Sequence, residues 1–149
     1  MRYKVAAVML CVVAFYLLPG ANAQGARTYY ARLSPVPADL TTAPNVTGSG
    51  SVTATLSGTT LSVAGKFADL RSPATVARVH RGRKMGVRGP AAFDLKVSAG
   101  TSGSITGSVA LTKAQLQDLY DNLYYVQLYS EKAPDGNLWG WLSLQENRR

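Results

Sequence analysis

Histidine and cysteine, on which most metal centres and much nucleophilic catalysis depend, occur once each in this 149-residue chain. The lone cysteine, Cys11, lies inside an apolar N-terminal run, so the rest of the chain can form no disulfide and must be stabilised by packing alone. Carboxylates are also scarce, with 8 Asp and Glu against 16 Lys and Arg. No Gly-x-Ser-x-Gly elbow, phosphate loop, EF-hand, zinc finger or nucleic-acid motif occurs. The longest apolar run, Val5 to Leu18, is shorter than the roughly 20 residues a membrane-spanning helix needs.

That run has its own meaning. "MRYK" supplies a cationic start, "VAAVMLCVVAFYLL" an apolar centre, and "PGANA" ends in the small-x-small pattern Ala21-Asn22-Ala23. This is the layout of an export signal, residues 1–23, cut after Ala23, which predicts a secreted or periplasmic protein with no membrane span after cleavage. Arg2 and Lys4 leave with the signal, so the 16 cations become 14 against 8 carboxylates. Residues 24–149 are then one ordinary domain. The positive balance suits an anionic glycan, a lipid head group or an acidic protein, and export makes nucleic acid the least fitting partner.

Hydrophobic periodicity places the elements. "TYYARL" (28–33) reads as a first strand, and the proline-rich "SPVPADLTTAPNVTGSG" (34–50) as a long ordered loop. In "GSVTATLSGTTLSVAGKFADL" apolar residues alternate on both sides of Ser57–Thr60, the signal of a hairpin with one buried face. "ATVARVH", "AAFDLKV", "GSITGSVAL", "YYVQLY" and "LWGWLSL" continue the pattern. In the last, Leu138, Gly140, Leu142 and Leu144 share one face, and Trp139 and Trp141 share the other. Thr112 with Gln115 forms a capping box, and Leu116, Leu119 and Tyr120 follow at helical spacing, predicting one short helix near residues 113–122. The fold class is mainly β: an antiparallel β-sandwich, immunoglobulin-like or superoxide-dismutase-like, carrying one helix.

The segment "ARVHRGRKMGVRGP" (77–90) concentrates the chemistry. Arg78, Arg81, Arg83, Lys84 and Arg88 are interleaved with Gly82, Gly86 and Gly89, which free the backbone to bend. The loop reads as a grip for sulfate, phosphate or carboxylate groups, or as a solvated basic loop. His80 sits at its base. Read as a general base, it has only Asp69 and Asp94 near it in sequence and no nucleophile motif; read structurally, it ends a strand and donates one ring nitrogen to a backbone carbonyl. Tyr129, Trp139 and Trp141 form a candidate aromatic patch, either covered by the helix or the N-terminal loop or left as a docking face. Asn45-Val46-Thr47 is a glycosylation acceptor pattern, and Pro134-Asp135-Gly136 a turn.

In this order the segments resemble a CHRD domain, the chordin-type module of exported bacterial proteins and of animal secreted regulators of growth factors. The likeness runs from Tyr30 to Leu144. It is carried by "ARLSPVPADLTTAPNVTGSGSVTATLSGTTLSVAGKFADLRSPATVARVHRG", by "GPAAFDL" and by "ITGSVALTKAQLQDLYDNLYYVQLYSEKAPDGNLWGWL". The chain is read as an exported, non-catalytic CHRD-like binding or interaction module with no cofactor. Where many relatives carry His-x-His, this chain has Arg78-Val79-His80. Where they carry Asn and His on a later strand it has Gln127 and Tyr129, and Trp139 stands in place of an Arg. A three-histidine zinc or copper site is therefore reduced to one ligand, and no metal is expected. The alternative is an envelope metal-binding protein or enzyme built on a degenerate site around His80.

Overall fold

The computed structural model describes residues 25–146; the expected export signal lies outside the described residues. Among the described residues nine strands form, β1 (Arg27–Pro35), β2 (Ser49–Ser57), β3 (Thr60–Ala68), β4 (Ala74–Arg81), β5 (Ala91–Val97), β6 (Gly103–Ala110), β7 (Tyr124–Ser130), β8 (Ala133–Trp141) and β9 (Ser143–Leu144), with one α-helix, α1 (Lys113–Tyr120). Every pairing is antiparallel. The hairpin of β2 and β3 follows the sequence pattern closely: Val52, Ala54, Leu56, Leu61, Val63 and Phe67 are all buried.

The expected sandwich is corrected to a closed eight-stranded barrel. Around the sheet the order is β2, β3, β6, β5, β4, β7, β8, β1, and β1 returns to β2. Closure depends on β1 being paired along both edges. Residues 27–33 face β2, while Ser34 and Pro35 pair with Trp139 and Leu138 of β8. A closed sheet has no row of unpaired backbone groups at its rim, which is how antiparallel folds remove sticky edges. The ladder between β5 and β6 is the shortest of the barrel proper beside that seam, with only Lys96↔Thr106 and Val97↔Ile105 in register. This leaves Phe93, Leu95 and Val97 half-buried rather than fully interior.

The barrel interior is one continuous core that includes Tyr29, Leu33, Val79, Ile105, Val126, Leu128, Leu138 and Leu142. Helix α1 lies across one end. Its capping box is complete, with Thr112 Oγ1 accepting from the Gln115 N–H and Gln115 Oε1 accepting from the Thr112 N–H. The helix stops at Tyr120, with Asp121 as its C-cap. Leu119 is buried in the core, and the Arg81 guanidinium of β4 holds Asp118 through two bonds of 2.7 and 2.8 Å. Leu144 leaves the face expected of it and is 44% exposed, because the strand breaks at Leu142 and continues as the short β9 against β1. None of the helices among the described residues is long and apolar enough to cross a membrane.

Candidate functional site

Side chains alternate across a strand, so the outward faces of β4, β7 and β8 can be read as rows. His80 lies opposite Tyr125, and Tyr125 opposite Trp141. Arg78 lies opposite Gln127, and Gln127 opposite Trp139. Five aromatic rings meet there. His80 stacks on Tyr125 with centroids 5.0 Å apart, and Tyr125 packs on Trp141 at 4.7 Å and edge-on to Trp139 at 5.7 Å. Tyr129 closes the group from the next position along β7, its ring tilted to His80.

His80 is only 8% exposed and has both ring nitrogens engaged. Nδ1 is 2.9 Å from the Gly89 carbonyl, so it carries the proton and donates. Nε2 then accepts from the Tyr129 hydroxyl at 2.8 Å. Burial pushes the Tyr129 phenol above its ordinary range, with the nearby Arg78 opposing that rise. Tyr125 completes the arrangement: its hydroxyl accepts from the Gly89 N–H at 3.1 Å and donates to the Gly89 carbonyl at 3.2 Å. His80 and Tyr125 therefore clamp the far end of the basic loop from below.

The clamp works only because residue 89 is glycine. A Cβ there would run into the Arg81 carbonyl, and a Cβ on Gly82 would meet the Trp141 ring and the Val87 carbonyl. The base of the loop thus packs closely on the aromatic face, with Gly82 against the Trp141 ring. Trp139 is packed instead against Val36, Val46 and Ala133, so the N-terminal loop covers it in part. The helix covers neither. Both indoles end half-buried, under two different loops. The indole N–H of Trp141 is buried with no hydrogen-bond partner among the described residues.

The cations expected to act together are dispersed by the fold. Arg78 belongs to the strand face, where its Nε holds Asp94 at 2.8 Å and its guanidinium lies over Tyr129. Arg81 points the other way, to Asp118 on the helix. Arg88 folds back over the Trp139 ring, 5.6 Å from its centroid, and reaches the Asp135 carbonyl. Arg83 and Lys84 remain exposed on the loop, with no carboxylate partner among the described residues.

Sequence reasoning missed a cleft of about 220 Å³ between the N-terminal loop and the turn joining β7 to β8. Val36, Pro37, Asp39 and Thr42 line one side, and Arg88, Lys132 and Pro134 are among the residues of the other. Asp39 does not offer its charge freely. Its Oδ1 accepts from the N–H and hydroxyl groups of Thr41 and Thr42, which lower its pKa to about 2. No run of residues announced the cleft, because its walls are some 50 to 100 positions apart along the chain. Asn45 of the glycosylation pattern ends a short 3-10 turn nearby and is half-buried. Among the described residues, no three His, Cys, Asp or Glu side chains come together as a metal site would require.

These features define a closed antiparallel barrel whose outer face carries a basic loop laid over stacked aromatic rings. The CHRD domain family model matches residues 30–142, so the chain belongs to the CHRD family. No curated protein and no solved structure matches it.

Proposed function

We propose that this protein is an exported, non-catalytic interaction module that binds an anionic partner through the apex of its basic loop. Family membership supports an interaction role in general terms. The observation that carries the finer reading is the contrast among the loop cations. Arg78 and Arg81 are neutralised by Asp94 and Asp118, whereas Arg83 and Lys84 stand exposed with no such partner among the described residues. An unpaired, solvated cation has no desolvated carboxylate to abandon before it meets a phosphate, sulfate or carboxylate. A rigid base also reduces the ordering cost of binding.

The reading through a metal or catalytic His80 gains no support, since both ring nitrogens are already bonded within the fold. The test uses the chain from Gln24, which carries the whole described fold. Its binding to an acidic glycan is measured across a salt series, beside Arg83→Ser/Lys84→Ser. Binding that weakens with salt and drops at least tenfold in the variant is expected. Equal binding by both proteins would remove the loop apex as the contact site.

A further inference from the structure

The apex carries more than charge. The Val87 N–H bonds the Lys84 carbonyl at 3.1 Å, closing a turn whose central residues are Met85 and Gly86. Gly86 has φ of 84°, the left-handed value that the second central position of a type II turn demands. Met85 is therefore held at the tip, 54% exposed, and Val87 follows at 36%. The base of this turn is fixed by the Gly82 N–H to the Leu123 carbonyl, the Arg81 N–H to the Pro90 carbonyl and the Gly89 N–H to Tyr125. Apolar side chains on so firmly held a tip cannot retreat into the core.

A soluble polyanion has no use for an exposed methionine beside two free cations, but the surface of an anionic bilayer does. Its head groups attract Lys and Arg, and a few ångströms deeper the acyl boundary accepts apolar side chains. A second loop lies on the same side of the molecule. Asp39 and Thr42 share one cleft with Arg88, and between them in sequence Leu40 is 96% exposed. We infer that the Arg83–Val87 turn is a membrane-contact element that seats Met85 and Val87 in the surface of an anionic bilayer, with Arg83 and Lys84 at the head groups. This rests on the reading of Arg83 and Lys84 as the contact site, and names the partner.

The chain from Gln24 has no cysteine, so Met85→Cys carries a single environment-sensitive fluorophore at the tip. Vesicles of phosphatidylcholine alone, vesicles with added phosphatidylglycerol, and a soluble acidic glycan are the three probes. Expected is sedimentation with the anionic vesicles only, with a blue-shifted, brighter fluorophore there and not with the glycan. Met85→Ser lowers vesicle binding about tenfold, and Arg83→Ser/Lys84→Ser lowers it roughly thirtyfold. Leu144→Ser, an exposed apolar residue on β9, leaves it unchanged. Glycan binding without vesicle binding, or vesicle binding with a silent fluorophore and no loss in Met85→Ser, overturns the membrane inference and leaves the anionic-partner reading standing. Binding to none of the probes overturns both.

Discussion

The hydroxyl of Tyr129 donates to Nε2 of His80 at 2.8 Å, tying β7 to β4 on the outer face of the barrel. With Nδ1–H directed at the Gly89 carbonyl, the ring satisfies both of its polar atoms without solvent. Tyr129→Phe leaves Nε2 short of a donor in a buried position, which costs about 1 to 2 kcal/mol. Because the two residues act as a pair, the double variant His80→Phe/Tyr129→Phe loses less stability than the single variants combined. Urea unfolding of the four proteins checks this, and strict additivity would show that the contact carries no energy.

Alkaline stability follows from the buried tyrosines. Desolvation first, and then the charge of Asp118, push the Tyr124 phenol up to about 12; burial raises Tyr29 and Tyr129 in the same direction. Above pH about 10 the unfolded chain gives up phenolic protons that the folded chain retains. The folded state then binds more protons, so stability falls as pH rises from about 10 to 12, having been fully present below. Thermal melts over that range show the decline, and Tyr124→Phe reduces its slope. An unchanged slope in the variant would contradict the burial of this phenol.

Gly89→Ala tests whether the loop is laid down by close approach. The added methyl group meets the Arg81 carbonyl, which belongs to the barrel and cannot move freely. The expected result is a loss of about 1 to 3 kcal/mol and a lifted loop. Trp141 then gains solvent, so tryptophan emission shifts to longer wavelength and acrylamide quenching increases. Gly25→Ala, where nothing lies within reach of a Cβ, leaves both signals unaltered.

Arg81 is the loop cation that engages the helix. Its guanidinium grips Asp118 from the strand end and helps pin the helix across the barrel mouth. Arg81→Ser lowers stability only slightly, as befits an exposed guanidinium screened by solvent, and leaves affinity for an acidic glycan within twofold. Calorimetry and the same salt series separate the two effects. A large affinity loss with normal stability would return Arg81 to the binding surface.

Local chemistry was readable from the sequence and long-range closure was not. The β2–β3 hairpin and the capped helix depend on neighbours within a few residues, and period-two burial at Val52, Ala54, Leu56, Leu61 and Val63 follows the pattern directly. Barrel and sandwich share that local pattern. What separates them is whether Ser34 and Pro35 meet Trp139 and Leu138, a contact between opposite ends of the chain that no window of sequence contains. The site behaves likewise. The basic loop could be named from composition, but the carboxylates that neutralise Arg78 and Arg81 arrive from β5 and from the helix. Leu144 was misplaced for the opposite reason, since a local break after Trp141 ended the alternation.

The double pairing of β1 also sets an order of events. Its first edge finds β2 a few tens of residues away, but its second must wait for residues 138 and 139, near the far end of the chain. Until those arrive, a partly folded chain holds an open curl of sheet with two bare rims. Such non-local closure makes folding slow, and with a single cysteine in the sequence no disulfide within the chain can hold the curl in shape meanwhile. The last barrel strand therefore acts as a latch, and a chain shortened before Leu138 loses its protection from self-association together with the core side chains Leu138 and Leu142.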